Sequence, residues 1–390
     1  MIIGVVGCGS FAQSFIPLFQ AHPQVSEVVL CDLDDRKVAE SAAKHCINRT
    51  YASLEALLEA DIDAVALFTQ NWLHGPQAEQ ALRAGKHVYS AVPPGITLQE
   101  IGSLVQAVEQ TGRIYMLGET SYYYPGAIYC RNRFREGAFG RVVYSEGEYY
   151  HDWDHGLYDV MRTRGGQEWL RYAGSPPMYY PTHSVAPIVS ALKARMTHVS
   201  CQGFVDLHKD GIYDHGANIW GNTFSNQTAL FRMSDGSTCR INEFRRVGHP
   251  CVERMSIFGT EGCFQESEAG KVWTDKNGAS RLDELLECAR RTPAGEMVPA
   301  DAIADYFEEV APVHEMSRLP REFLGLPNGH FGSHQFLVDD FVRAVHSGIQ
   351  PPNNVWQAAR YVLPGLLAHE SSLRGGEVLE IPDFGDAPDR

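Results

Sequence analysis

Met1-Ile2-Ile3-Gly4-Val5-Val6-Gly7-Cys8-Gly9-Ser10-Phe11-Ala12 is an apolar run that breaks into a glycine turn. It reads as a buried strand, a tight loop and the start of a helix running from about Phe11 to Ala21. Gly7 permits the sharp bend, Gly9 lets a ligand approach the backbone, and Ala12 is small enough for helix to pack on strand. A second apolar strand, Glu27-Val28-Val29-Leu30-Cys31-Asp32, ends in a carboxylate. Asp32 lies 20 residues past Ala12, the separation expected for the acid that bonds an adenosine ribose. The pattern is that of a site for a dinucleotide, with backbone N–H groups of residues 7–12 facing a pyrophosphate.

Working outward, strand and helix alternate as far as residue 120. Helices are expected over Asp35–His45, over Leu54–Leu58 behind a Ser53 cap, over His74–Arg83 up to Gly85, and over Thr97–Thr111 up to Gly112. Between them lie the strands Ala64–Phe68, His87–Ser90 and Ile114–Leu117. Repeats of this kind give an α/β, doubly wound parallel sheet, a Rossmann domain over 1–120. Its ligand sits beyond the carboxyl ends of the strands, so the loops 69–74, 91–94 and 118–120 are expected at the nicotinamide end.

From residue 121 to 390 the texture changes. Strands are expected over Arg141–Tyr150, Met196–Phe204, Gln227–Met233, Thr238–Phe244 and Arg254–Phe258, with a hairpin turn at 234–237. Residues 267–330 read as irregular connection, and a helix is expected over His334–His346. The expectation is an α+β domain with a large, mostly antiparallel open sheet, serving substrate binding and oligomerisation.

Composition bounds the partners. The chain of 390 residues is 44% hydrophobic with a formal net charge of −15, a poor match to nucleic acid or to an anionic membrane. No apolar run approaches the ~20 residues of a membrane span, and the N-terminus does not read as a signal peptide. Nine cysteines are scattered without a CxxC pair, which points to reduced thiols and a cytoplasmic protein.

Several segments in fixed order then resemble the Gfo/Idh/MocA oxidoreductases. They are the GxGxxA start, Thr69-x-Asn71-x-x-His74, Gly85-Lys86-His87-Val88, residues 134–141 (FREGAFGR) and Asp340-Phe341-Val342-Arg343-Ala344. The resemblance implies a Rossmann domain followed by an α/β domain whose open sheet makes homodimers or homotetramers. It also implies NAD or NADP and a sugar or cyclitol substrate. By position Gly7, Gly9, Ser10, Phe11, Ala12, Asp32, Thr69, Asn71 and His74 correspond to cofactor-contacting positions. Asp32 favours NAD, because a carboxylate repels the extra phosphate of NADP, while Arg36 is a nearby cation.

The chain departs from that pattern at one point. After the GKHV strand such enzymes carry Glu-Lys-Pro, whose lysine touches the nicotinamide ribose and the substrate hydroxyl. Here the segment is Ala91-Val92-Pro93, which removes the cation and leaves Val92 at that cofactor-contacting position. Tyr180-Pro181-Thr182-His183 with Val185 resembles the NAD-dependent glycosidases of the α-N-acetylgalactosaminidase type within the same superfamily. Those enzymes oxidise a ring carbon, eliminate, add water and reduce again with the same cofactor. His183 suits proton transfer near neutral pH. If Pro181 occupies the first helical position, Tyr180 is the N-cap and shares its pocket.

Other candidates carry two readings each. Glu119 is either a carboxylate near the nicotinamide or a solvated loop residue. His330, in Gly329-His330-Phe331-Gly332-Ser333-His334, either reaches the sugar or caps and packs a helix. His151-Asp152-Trp153-Asp154-His155 offers metal-ligating atoms without zinc spacing, so a polar rim of the substrate pocket is expected and no metal. Three functions remain in view: a sugar or cyclitol dehydrogenase, a redox-cycling glycosidase or lyase, and a non-catalytic dinucleotide sensor.

Overall fold

The computed structural model describes residues 1–302 and 304–388. Two sheets organise it. The first is parallel throughout, in the order β3-β2-β1-β4-β5-β6, with β1 Ile2–Val6, β2 Glu27–Cys31, β3 Thr50–Tyr51, β4 Ala64–Leu67, β5 His87–Ser90 and β6 Tyr115–Leu117. This is the doubly wound order with its switch point between β1 and β4. Helices start where side chains meet orphan amides. Asp34 accepts from the N–H of Arg36 and Lys37, Ser53 from Ala56, and Thr97 from Glu100. The Leu98–Thr111 helix stops at Gly112 in the left-handed region. Every residue of β4 is buried, as a strand covered on both faces requires.

The second sheet has the order β14-β13-β12-β11-β7-β10-β9-β8-β17. Its strands are β7 Val142–Tyr150, β8 Met196–Val205, β9 Phe224–Met233, β10 Thr238–Phe244, β11 Val252–Gly259, β12 Gly262–Ser267, β13 Gly270–Asp275, β14 Gly278–Arg281 and β17 Leu379–Glu380. All neighbours are antiparallel except β7 and β10. The hairpin between β9 and β10 turns on Gly236, with Asp235 accepting from the Ser237 N–H and O–H.

Three local expectations are corrected. The stretch Phe11–Ala21 is not one helix: a 3-10 turn covers Ala12–Ser14, and the α-helix begins only at Ile16. Pro17 is the reason, since it has no N–H to give to the Gln13 carbonyl and is tolerated only in a first turn. Residues 267–330 are not irregular. They hold β13, β14, a short helix Asp283–Leu286 and the paired strands β15 Ala289–Arg291 and β16 Phe307–Val310. The two-residue loop Lys276-Asn277, in which Asp275 accepts from the Asn277 N–H, closes a hairpin whose strands are too short to show a clear alternation. Pro181 is the N-cap rather than the first residue of its helix, Thr182–Leu192, so Tyr180 lies one position outside the cap.

The chain forms two compact units, and neither is continuous. The first contains residues 1–125, 284–359 and the tail from Phe384; the second contains 126–283 and 360–383. A single cut at residue 120 therefore leaves out the return of 284–359 to the Rossmann unit. That return has an apolar cause: Phe307, Phe323, Phe336 and Phe341 share one core with Phe15, Phe19 and Tyr89. Arg318 reinforces it by bonding Asp339, Asp340 and the Tyr123 hydroxyl. No helix among the described residues is long and apolar enough to cross a membrane.

In the second unit the Thr182–Leu192 helix lies directly on β7, because Gly147 has no side chain. A Cβ there would overlap the Ser184 carbonyl oxygen. Gly147→Ala is expected to lower the unfolding free energy by about 1–3 kcal/mol, the usual size of overpacking, as read by denaturant titration.

Candidate active site

In the first unit the glycine loop is built as a cradle. Gly7 has φ +91°, and a Cβ on it would meet the Phe68 carbonyl at 2.7 Å, so only glycine serves there. Gly9 differs: a Cβ on it meets no protein atom within 4 Å. Nothing in the chain requires a bare backbone at Gly9, whereas a nucleotide lying on the loop would. Asp32 is tied to the same loop, its carboxylate accepting from the Cys8 N–H at 2.7 Å and from the Asp34 N–H at 3.0 Å. The acid and the loop are thus held at one edge, as a bound nucleotide diphosphate and its ribose require.

The loops after β4 and β5 are stapled by His74. Its ring nitrogens lie 2.9 Å from the Pro93 carbonyl and 3.0 Å from the Thr69 carbonyl, and the side chain is buried. His74 therefore shapes the site by holding these loops together, while the Thr69 hydroxyl donates to Gln77. Asn71 opens the 3-10 turn Asn71–Leu73, partly exposed. Val92 is 8% exposed and precedes Pro93. Glu119 is fully buried and accepts from both the N–H and the O–H of Ser121, so it is no solvated loop residue.

His330 also belongs to the first unit. It is exposed, has φ +50°, and its Nδ1 lies 2.9 Å from Nε2 of buried His334. Both imidazoles meet the edge of Phe11 on the glycine loop, at 5.7 Å between centroids. Ser10 is exposed beside it, and Ala12 is fully buried.

The second unit brings Tyr180 and His183 together, with ring centroids 5.2 Å apart. His183 is 7% exposed. Its helix contains Pro187, which has no N–H for the His183 carbonyl. Beneath the helix the register aligns Glu253 of β11, Tyr149 of β7, Glu243 of β10 and Gln227 of β9 in one row. Tyr149 lies 5.4 Å from His183 and 6.0 Å from Tyr180 between centroids. Glu253 Oε2 lies 4.0 Å from His183 Nδ1.

This row is polar yet buried, and its charges are compensated. Glu243 accepts from the Ser184 hydroxyl and from Arg245 at 3.0 Å. Burial pushes its carboxyl up to about 7 against the pull of Arg245. The Arg245 guanidinium lies 4.9 Å from the Tyr149 ring centroid and donates to the carbonyls of Phe244 and Pro177.

The segment 151–155 is divided by the fold. His151 joins the site, its Nδ1 3.0 Å from the Tyr149 hydroxyl. Asp152 is a structural hub, accepting from the N–H groups of Asp154, Val247 and Gly248 and lying 2.8 Å from His155 Nδ1. No group of three or more His, Cys, Asp or Glu side chains among the described residues is placed to hold a metal ion.

Tyr149, Glu243, Arg245 and Glu253 are the residues around Tyr180 and His183 that the sequence reading did not name, whereas His151 was expected in a polar rim of the pocket. A signal existed for Tyr149: it stands two residues before His151 at a strand end, and so on the same side. The others depend on strand register.

Residues 1–119 match the family model GFO_IDH_MocA, an oxidoreductase family with an NAD-binding Rossmann fold. Over 98% of its length the chain is 26% identical to a "Glycosyl hydrolase family 109 protein" of Streptomyces niveus, covering 77% of that protein. Over 83% of its length it is 24% identical to an "Alpha-N-acetylgalactosaminidase" of Bacteroides fragilis, covering 75% of it. Among solved structures, levoglucosan dehydrogenase in complex with NADH and levoglucosan superposes with a TM-score of 0.74 at 16% identity, covering 98% of this chain and all of that one. Myo-inositol 2-dehydrogenase from Lactobacillus plantarum gives 0.71 at 15%, covering 98% and 99%. These structural likenesses show the fold.

Gly9→Ala tests the cradle. Stability is expected to stay within about 0.5 kcal/mol of the parent, while the dissociation constant for NAD rises about tenfold or more. Calorimetric titration and thermal unfolding of the same samples check both.

Proposed function

Because residues 1–119 match the GFO_IDH_MocA oxidoreductase family with its NAD-binding Rossmann fold, we propose an NAD-dependent enzyme of that family acting on a small carbohydrate, its net reaction the cleavage of a glycoside. One observation carries this reading. In the second unit Tyr180 lies 5.2 Å from His183 between ring centroids and Glu253 4.0 Å from its Nδ1, groups able to give and take a proton, while the position at which the resemblance implies a lysine is the apolar Val92. The near full-length match to glycosyl hydrolase family 109 proteins supports it.

The glycine loop from Gly7 to Ala12 would hold the pyrophosphate and Asp32 the adenosine ribose. Leu33, 84% exposed beside it, offers an apolar surface to the adenine. NAD is favoured over NADP because Asp32 repels a ribose phosphate and Arg36 is engaged with Glu40 at 3.1 Å. Thr69, Asn71 and Glu119 follow the strand ends where the nicotinamide half would lie.

Bound NAD would supply a reversible two-electron acceptor that turns a sugar carbinol into a ketone, and the ketone makes the neighbouring C–H acidic enough for the glycosidic oxygen to leave by elimination before water adds. His183 removes that proton at its imidazole and later returns one, and the Glu253 carboxylate compensates the charge it gains. The Tyr180 hydroxyl makes no hydrogen bond among the described residues, so it is available to a substrate oxygen on which charge develops. Val92 moves no proton, which disfavours simple alcohol oxidation by the family's lysine relay.

Oligomerisation as a homodimer or homotetramer would use the open face of the second sheet, where Phe204 and Leu230 are each 59% exposed. Nine free cysteines support a reducing, cytoplasmic setting. The net charge of −15 disfavours nucleic-acid and membrane partners.

Incubating the NAD-loaded protein with aryl glycosides and free sugars tests the reading. Aglycone release without net NADH is expected. Net NADH would make it a dehydrogenase, and silence on every substrate would leave a cofactor-binding sensor. His183→Ala should lower turnover by about 10²–10⁴-fold with NAD binding intact. Asp32→Arg should move the preference toward NADP, seen as a changed ratio of the two dissociation constants.

A further inference from the structure

Two histidines stand in the second unit's site with different partners. His183 faces a carboxylate, Glu253 Oε2, at 4.0 Å from Nδ1. His151 faces a phenol, with Tyr149 Oη 3.0 Å from Nδ1. We infer that Tyr149 is a positioning residue: its O–H donates to His151 Nδ1 and so holds His151 as a neutral hydrogen-bond donor through Nε2, leaving proton removal to His183.

The direction of that bond follows from its surroundings. Tyr149 is buried, and its hydroxyl makes no other hydrogen bond among the described residues. Were the phenol the acceptor, its own hydrogen would be buried without a partner, at a penalty that donation to Nδ1 avoids. Burial, then Tyr180 and Glu253, keeps the phenol protonated.

The charges around His151 favour its neutral form. Burial, followed by Arg245 beyond β10, Arg164 on the helix Leu157–Gly165 and His183, lowers it to about 4, and neighbouring Asp152 opposes this only in part. Nε2 makes no hydrogen bond among the described residues. A neutral N–H at that atom suits an electronegative substrate oxygen, such as a carbonyl or hydroxyl of a sugar ring. His183 beside its carboxylate is suited to accept a proton, so the two imidazoles divide donor and base between them.

The division of labour rests on the carbohydrate reading above; the tautomer does not. Histidine-selective ¹⁵N labelling of the NAD-loaded protein, with His151→Gln to assign the signal, reads the tautomer directly. The expected spectrum shows a bare Nδ1 and a protonated Nε2 from about pH 5 to 8. A proton on Nδ1 overturns the inference without any variant. Tyr149→Phe should raise the His151 midpoint by about one pH unit and move the acid limb of kcat/KM with it; an unmoved midpoint in folded protein overturns it. Because a Gln side chain can place N–H near Nε2 and Asn near Nδ1, His151→Gln should retain more turnover than His151→Asn, and the reverse order overturns the donor assignment. Absence of carbohydrate turnover with the expected tautomer would sink the functional reading alone.

Discussion

The proposed acid–base cluster depends on a missing side chain. Gly147 on β7 lets the backbone of the Thr182–Leu192 helix rest on the sheet at Ser184, and that contact sets the depth at which His183 meets Tyr149. A bulkier residue would lift the helix away from the row formed by Glu253, Tyr149 and Glu243. Packed interiors pass such a displacement on instead of absorbing it. The site is therefore a consequence of backbone contact, with polar side chains arranged around it.

Burying that polar row is expensive unless each group finds a partner. Glu243 meets Arg245 and Ser184, while Arg245 also faces Tyr149 and two backbone carbonyls. Removing one partner from a buried ion pair costs about 3–5 kcal/mol, because the remaining charge is stranded. This network packs against Tyr149, next to Tyr180, His183 and His151 of the proposed site.

The first unit solves a different problem. Its ligand site must remain open, so interactions are spent on framing it. Asp32 holds the Cys8 amide, His74 holds the loops after β4 and β5, and Glu119 caps the turn after β6. Lys86, part of the Gly-Lys-His-Val motif, donates to the carbonyls of Ala60 and Ile62. Motif residues here thus divide between those facing the cofactor's place and those shaping it, a distinction that spacing alone does not make.

The alternation of apolar strands with capped helices was legible from residue 1 to residue 120, because both periodicity and capping are local. The glycine loop, Asp32 and the Tyr180–His183 pair were legible for the same reason, each being a short motif or a short separation. The 3-10 turn at Ala12–Ser14 was written in Pro17, whose missing N–H is also a local fact. Register of β7 with β10 and with β11 lies outside the reach of local pattern, since it joins residues about 100 positions apart. Only the folded chain decides that Glu253, Tyr149 and Glu243 share one row, that Arg245 is buried beneath Tyr149, and that residues 284–359 complete the Rossmann core. Those outcomes follow from apolar burial and strand pairing over long separations, where many partners compete and only the global packing selects one.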